Sequence, residues 1–195
     1  MKLRSMPCIM KILSLIWSLL LVVPSLSALP AQVILLRHAE KPADEASPHL
    51  SPRGEERARA LATLLTTNPV LTANGPPVAL FASRATKEGH GSRPALTLKP
   101  LAARLHLAIQ APYAAKNTAA LAQAILQNPA YDHKTVVVCW VHDNLADLAE
   151  ALGVKPRPGP WKKSVYDRAW RVVFERGEAS LSDFPQTLLP GDAIY

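Results

Sequence analysis

Two histidines of this 195-residue chain stand directly after short apolar runs. Arg37-His38 follows the run QVILL, and His142-Asp143 follows the run TVVVCWV. Runs of this kind are typical of buried strands, and in an open α/β sheet ligands bind beyond the carboxyl ends of the strands. The two histidines are therefore expected to converge on one crevice, with an arginine beside them.

The elements that would position these residues alternate between strand and helix. Strands are predicted at Gln32–Leu36, Val78–Ser83 and Thr135–Val141, and a hairpin about Arg176-Gly177 at Trp170–Phe174 and Ala179–Phe184. Helices are predicted at Pro52–Thr66, Ser92–Leu105, Thr118–Gln127 and Asn144–Leu152. This order predicts an α/β domain, a three-layer α/β/α sandwich with a mostly parallel central sheet.

Local signals indicate where some of these elements begin and end. Ser51 can cap the first predicted helix, and Pro52 suits its first position. Pro100 predicts a break or a new start inside the second helix, and Gly153 is expected to close the fourth. The stretch Lys155–Lys163 is rich in proline, glycine and lysine and is predicted to be a surface loop.

The first 28 residues have the pattern of a secretory signal peptide. They carry three basic residues and no acidic one, then an apolar-rich run at 12–23 and small residues up to Ala28. This run of 12 residues is shorter than the roughly 20 of a membrane span. We therefore expect a signal peptide at 1–28, a single domain at 29–195 and export to the periplasm or the medium. An uncleaved anchor is the alternative, because Leu26 and Ala28 form an imperfect cleavage site.

Composition narrows the class of protein further. Hydrophobic residues make up 49% of the chain, which excludes a disordered chain. Loss of residues 1–28 would reduce the net charge from +7 to +4 and leave Cys139, predicted to be a buried strand thiol, as the one cysteine. This mild charge, with 6% aromatic residues and no basic stripe, disfavours nucleic-acid binding.

Four blocks of the sequence resemble those of the histidine phosphatase superfamily, which includes phosphoglycerate mutases and acid phosphatases. LLRHAEKPAD is similar to its Arg-His motif, and LSPRGEERARAL to its second block. In FASRATKEGHGSRPALTLKPLAARL, Arg93 precedes Thr97 by about one turn, as in the third block. VVVCWVHDNLADLAEALG is similar to the fourth, a strand that ends in the second histidine. Together the blocks span nearly all of residues 29–195, and their order makes the resemblance specific.

The resemblance implies a phosphoglycerate mutase-like fold and a phosphatase that works through phosphohistidine. Arg37 and Arg93 would bind the phosphoryl group with paired N–H donors. His38 would attack phosphorus, and His142 would donate to a phosphoryl oxygen. Such a site would use no metal and no cofactor, and its partner would be a small phosphorylated substrate. After signal cleavage no stable membrane insertion is expected.

The proton donor to the leaving group has two candidates. Asp143 resembles the aspartate of the His-Asp pair in the acid phosphatase branch, and Glu40 is the alternative. The glutamate of the mutase branch has no counterpart between Arg93 and Asp132. Asp143 could instead be the N-cap of the helix that follows it.

The second arginine that binds phosphate also has two candidates, because the third block departs from the family's pattern. Arg93 lies ten residues after the strand-end serine, Ser83, farther than is usual in the family. Either Arg93 binds phosphate after a longer loop or Arg84 takes part. Three more cations could line the mouth and select anionic substrates, or could be solvated loop charges: Lys41, Lys87 and His90.

The sequence leaves two alternatives to hydrolysis within this fold. A protein of this fold could bind a phosphorylated ligand without turnover, or could be a phosphomutase. A zinc hydrolase is disfavoured: His38 and Glu40 satisfy H-x-E, but P-C-x-x-C and HExxH are absent from the sequence. No metal ligands are therefore assigned.

Overall fold

A six-stranded sheet forms the centre of a computed structural model, which describes residues 29–193 apart from 45, 87, 88 and 90. The predicted signal peptide lies outside the described residues. The strands are β1 Gln32–Arg37, β2 Pro77–Ala82, β3 Ile109–Gln110, β4 Thr135–Trp140, β5 Arg168–Glu175 and β6 Glu178–Pro185. Their order is β3-β2-β4-β1-β5-β6, in which β1 to β4 are parallel and β5 and β6 are antiparallel. The mostly parallel sheet is confirmed.

Helices cover both faces of this sheet. They are α1 Pro52–Thr67, α2 Arg93–Leu105, α3 Thr118–Leu126 and α4 Leu145–Ala151, with 3-10 turns at Pro129–Tyr131 and His142–Asn144. Helices α1 and α2 share one hydrophobic cluster with the sheet, and α3 and α4 share another on the opposite face. The predicted three-layer α/β/α sandwich is therefore confirmed. Within the described residues, no helix has the length and apolarity needed to cross a membrane.

The two central strands, β1 and β4, are buried along their whole length. Successive side chains of a strand point to opposite faces, so Leu35 packs in the core beside α3 and α4, while Ile34 packs beside α1 and α2. Both faces are covered, which is why these strands read as continuous apolar runs in the sequence. Cys139 is fully buried among them, as predicted.

The predicted start of α1 is confirmed in detail. Ser51 is the N-cap, its hydroxyl accepts a hydrogen bond from the Gly54 N–H at 3.1 Å, and Pro52 opens the helix. A Cβ atom at Gly54 would lie 2.3 Å from the carbonyl oxygen of Glu40. Glycine therefore lets the first turn of α1 approach the chain segment that follows His38.

Of the remaining local predictions, those of the hairpin turn, the end of α4 and the loop are confirmed, and that of a helix break is wrong. The turn at Arg176-Gly177 has two positive φ angles, 53° and 84°, as a tight hairpin requires, and Gly153 closes α4 at φ 100°. Residues 155–163 form a loop, as predicted. The predicted break at Pro100 is wrong, because α2 runs through it. Leu98 and Leu101, on either side of the proline, are both buried in the same core, so packing maintains the helix across it.

Candidate active site

The two strand-end histidines meet at one edge of the sheet. Strands β1 and β4 are parallel neighbours with Arg37 opposite Trp140, so the residues after them emerge side by side. The His38 N–H donates to the Trp140 carbonyl at 3.1 Å. The charges of Arg37, Arg93 and His142 all act on the His38 ring. The structure thus brings together the two histidines and two arginines that the sequence predicted to converge.

His38 is buried and has one ring nitrogen engaged. Its Nδ1 lies 2.8 Å from the carbonyl oxygen of Ala39. A carbonyl can only accept, so Nδ1 carries the proton and Nε2 keeps its lone pair. Burial and the nearby charges of Arg37 and Arg93 together lower the pKa of His38 to about 4, against the effect of the bond to Ala39. The imidazole is therefore neutral at physiological pH.

Arg37 is 2% exposed and is held by backbone and by one tyrosine. Its Nη1 donates to the carbonyls of Lys163 and Val165, the latter at 3.0 Å. Its Nη2 donates to the Tyr166 hydroxyl at 3.0 Å, and its Cζ lies 3.8 Å from the centroid of that ring. The buried Nε has no hydrogen-bond partner, and no described carboxylate lies within ion-pair distance. Burial lowers the pKa of this guanidinium.

Arg93 opens α2 on the other side of the site. Its Nε donates to the His49 carbonyl at 3.1 Å and its Nη2 donates to the Ser47 carbonyl. Thr97, one turn later, donates to the Arg93 carbonyl at 2.8 Å and accepts from the Ala39 N–H at 2.9 Å. This threonine therefore links the start of α2 to the residue after His38.

The alternative arginine, Arg84, points elsewhere. Its side chain is exposed and donates to the Pro112 carbonyl at 3.2 Å. Arg93, and not Arg84, is among the groups whose charge lowers the pKa of His38.

His142 and Asp143 form a contact on the 3-10 turn after β4. Nε2 of His142 lies 3.1 Å from Oδ1 of Asp143, whose side chain is 76% exposed. Burial lowers the pKa of His142, as do the charges of Arg37, Lys163 and Lys41, while Asp143 opposes them. The N-cap alternative for Asp143 is wrong, because Asn144 occupies that position before α4.

Glu40, the other candidate acid, has its carboxylate bound by arginines. Arg57 donates to it from Nε at 3.0 Å and from Nη2 at 2.8 Å, and Arg53 donates at 3.3 Å. Arg57 also reaches Asp192, near the end of the described chain, at 2.7 Å. Glu40 is therefore part of a network of charges beside the site. Two proposed mouth residues, Lys87 and His90, lie outside the described residues.

Tyr166 lies close to His38 and Arg37, although nothing in the sequence indicated it. Its ring centroid lies 6.1 Å from that of His38, and its hydroxyl and ring both contact Arg37. It falls between the predicted loop at 155–163 and the predicted hairpin, in a stretch without periodicity or a motif. In the described part of the chain, no group of three or more histidine, cysteine or acidic side chains could hold a metal ion.

Solved structures with the same architecture include two bacterial proteins. One, from Escherichia coli, is named as a candidate alpha-ribazole-5'-P phosphatase; it matches with a TM-score of 0.51 and 14% identity, over 82% of this chain and 100% of its own. The other, an alpha-ribazole phosphatase from Shigella flexneri, matches with a TM-score of 0.50 and 12% identity, over 84% and 100%. No protein-family model and no curated protein matches the chain. The chain therefore shares its fold with these two proteins, which agrees with the fold that the four sequence blocks predicted.

Proposed function

We propose that the protein is a phosphomonoester hydrolase that forms a covalent phosphohistidine on His38. The observation that supports this most strongly is the buried guanidinium of Arg37 beside a neutral His38. Its Nε has no hydrogen-bond partner, and the guanidinium has no carboxylate partner among the residues that the structure describes. A buried positive charge without a counter-ion is unfavourable, so a bound anion would stabilise it. The names of the two solved neighbours agree with phosphatase chemistry.

The donors of Arg37 suit a phosphoryl group. A guanidinium has five N–H donors, and here three of them go to Lys163, Val165 and Tyr166. One hydrogen on Nη2 and the Nε–H remain, and such a pair can bind two oxygens of one phosphoryl group. The charge of Arg93 and a hydrogen bond from His142 would stabilise the rest of the negative charge.

The covalent step follows from the tautomer of His38. Its Nε2 lone pair attacks phosphorus, while the bond from phosphorus to the leaving-group oxygen breaks. The Nδ1–H bond to the Ala39 carbonyl stabilises the positive charge that develops on the ring. Water then attacks the phosphohistidine and the P–N bond breaks. The proton that the water loses replaces the one given to the leaving group, and inorganic phosphate leaves with His38 neutral again. His142 donates to a phosphoryl oxygen in both steps.

Asp143 is the proposed proton donor to the leaving group. It is exposed beside His142, whereas the Glu40 carboxylate accepts hydrogen bonds from two arginines and is directed at them. If Asp143 has this role, Asp143→Asn should slow esters with poor leaving groups far more than p-nitrophenyl phosphate, because p-nitrophenolate leaves without protonation. Equal effects on both substrates would contradict the assignment.

Turnover of p-nitrophenyl phosphate tests the proposal directly. The protein should hydrolyse it equally with and without EDTA, and His38→Ala should lose at least about 10³-fold in kcat. His133→Asn, at an exposed histidine with positive φ that asparagine tolerates, is the matched control and should retain activity. Activity that persists in His38→Ala would contradict the nucleophile. Activity lost in EDTA and restored by zinc would indicate a metal enzyme, and phosphate binding without turnover would indicate a ligand-binding protein.

Export of the protein is a separate proposal that rests on residues 1–28. These residues would direct secretion to the periplasm or the medium and be removed near Ala28. Expression of the full chain followed by mass measurement of the exported product tests this. A product that keeps its first 28 residues and stays with the membrane would support the anchor alternative.

A further inference from the structure

The segment Trp161–Tyr166, here called the cradle loop, supplies all three described hydrogen-bond acceptors of Arg37. We propose that Tyr166 is a positioning residue of the phosphoryl site: it holds the plane of the Arg37 guanidinium so that Nε faces the group that His38 attacks. The proposal rests on the function proposed above.

Tyr166 contacts Arg37 in two ways at once. Its hydroxyl accepts the Nη2 hydrogen bond at 3.0 Å, and its ring lies against the guanidinium, 3.8 Å from Cζ. A cation over an aromatic face is attracted by the electrons of the ring, and more strongly when water is excluded, as it is around a guanidinium that is 2% exposed. Tyr166 therefore constrains both the direction and the plane of the guanidinium.

The backbone bonds alone do not provide this constraint. The carbonyls of Lys163 and Val165 both bind Nη1, which fixes one end of the planar group. Rotation about that end would still move Nε away from the site. A second point of attachment at Nη2, together with contact over the face, prevents this rotation. Tyr166 supplies both.

The cradle loop has its own internal support, so Tyr166 does not depend on Arg37 for its position. The Trp161 indole N–H donates to the Val165 carbonyl at 2.9 Å, and the Val165 N–H donates to the Lys162 carbonyl at 3.0 Å. The Trp161 ring also packs on Trp170 of β5, with 4.9 Å between centroids. The loop is thus preorganised against the sheet, and it orients the arginine.

A double-mutant cycle measures whether Tyr166 acts through Arg37. The dissociation constant of inorganic phosphate is measured by calorimetry for protein expressed from the full chain, and kcat/KM for p-nitrophenyl phosphate is the second readout. Tyr166→Ala should weaken phosphate binding by about tenfold, and Tyr166→Phe, which keeps the ring, by about threefold. In an Arg37→Met background the same Tyr166→Ala change should have less than about a twofold effect.

Tyr131→Phe is the matched control. Tyr131 is a buried tyrosine whose hydroxyl accepts a hydrogen bond from Gln110 at 3.3 Å, and it precedes β4, whereas His142 of the site follows that strand. Its loss of a hydroxyl should leave phosphate affinity unchanged. If Tyr166→Ala fails to fold, Tyr166→Phe and Tyr166→Leu provide the same comparison, with phenylalanine closer to the native affinity than leucine.

The outcomes separate this proposal from the hydrolase proposal. Equal effects of Tyr166→Ala with and without Arg37, or no effect on phosphate affinity, would overturn the positioning role even if His38→Ala abolishes turnover. Coupling between Arg37 and Tyr166 in phosphate binding would support the positioning role even if the protein does not hydrolyse esters.

Discussion

Arg37 and Arg57 are each 2% exposed, but their surroundings differ. Arg57 donates to the carboxylates of Glu40 and Asp192 and to the Gln186 side chain. Burial alone would lower its pKa, but the hydrogen bonds that it donates to these carboxylates raise it. Arg37 donates to two carbonyls and a hydroxyl, and burial lowers its pKa.

This difference in hydrogen-bond partners indicates a structural role for Arg57 and is consistent with the ligand-binding role proposed for Arg37. A buried ion pair with satisfied hydrogen bonds is complete in itself, so the Arg57 network joins α1, the segment after His38 and the end of the described chain. Arg37 has no carboxylate within ion-pair distance among the described residues, and under the proposed function a bound anion would supply the missing negative charge. Arg57 is bonded to the side chain of Glu40, two residues after His38, whereas Arg37 directly precedes His38.

Arg57→Met should produce the largest loss of stability. It leaves the carboxylates of Glu40 and Asp192 without their main cation, and breaking a buried pair in this way costs about 3–5 kcal/mol. Urea denaturation monitored by circular dichroism gives the free energy of unfolding for comparison with wild type. A loss below about 1 kcal/mol would mean that water screens these ion pairs, and it would contradict the stabilising role of Arg57.

Arg37→Met is the matched substitution at the arginine proposed to bind the phosphoryl group. It should reduce kcat/KM for p-nitrophenyl phosphate by about 10²–10³-fold, because a transition-state donor is lost. Its free energy of unfolding should fall much less than that of Arg57→Met, since an uncompensated buried charge is removed along with three hydrogen bonds. Equal losses of stability in the two variants would erase the distinction between the arginines.

The sequence predicted the elements and the histidines because both leave a local signal. Buried strands such as β1 and β4 are continuous apolar runs, and a histidine that follows one of them reaches the edge of the sheet. The Pro100 break was wrongly predicted because a local rule was overridden by packing on both sides of the proline. Strand β3, at two residues, is too short to show a pattern.

The parts of the site that escaped prediction depend on contacts between distant segments. Arg57 and Asp192 are 135 residues apart, and Arg37 and Tyr166 are 129 apart. Nothing in the residue types at these positions indicates that they meet, because charged and aromatic side chains are common at surfaces. The role of Glu40 could not be separated from that of Asp143 by sequence for the same reason: its partner Arg57 lies on another element.

The Arg57 network should make stability depend on acid pH. Burial raises the pKa of Asp192, but hydrogen bonds from Arg57 and from the Leu188 and Leu189 N–H groups lower it to about 2. A carboxyl with a lowered pKa stabilises the fold above its unfolded value near 4, and this contribution, about 2 kcal/mol, is lost as pH falls from 4 towards 2. Urea denaturation at pH 7 and pH 3 measures the loss. Asp192→Asn should show a smaller difference between the two pH values, and an equal difference would assign the loss to other groups.

Arg53→Ala should have the smallest effect on stability. The reason is that burial, more than the number of contacts, determines how strongly an arginine binds the carboxylates of Glu40 and Asp192. Arg53 approaches the same two carboxylates as Arg57, at 3.3 Å each, but its side chain is 44% exposed. Water screens such a pair, so the substitution should cost less than about 1 kcal/mol of unfolding free energy and leave kcat/KM within about twofold. The same urea titration used for Arg57→Met gives the value. A loss as large as that of Arg57→Met would mean that the carboxylates depend on both arginines together. The stabilising role set against that of Arg37 would then be shared by Arg53 and Arg57.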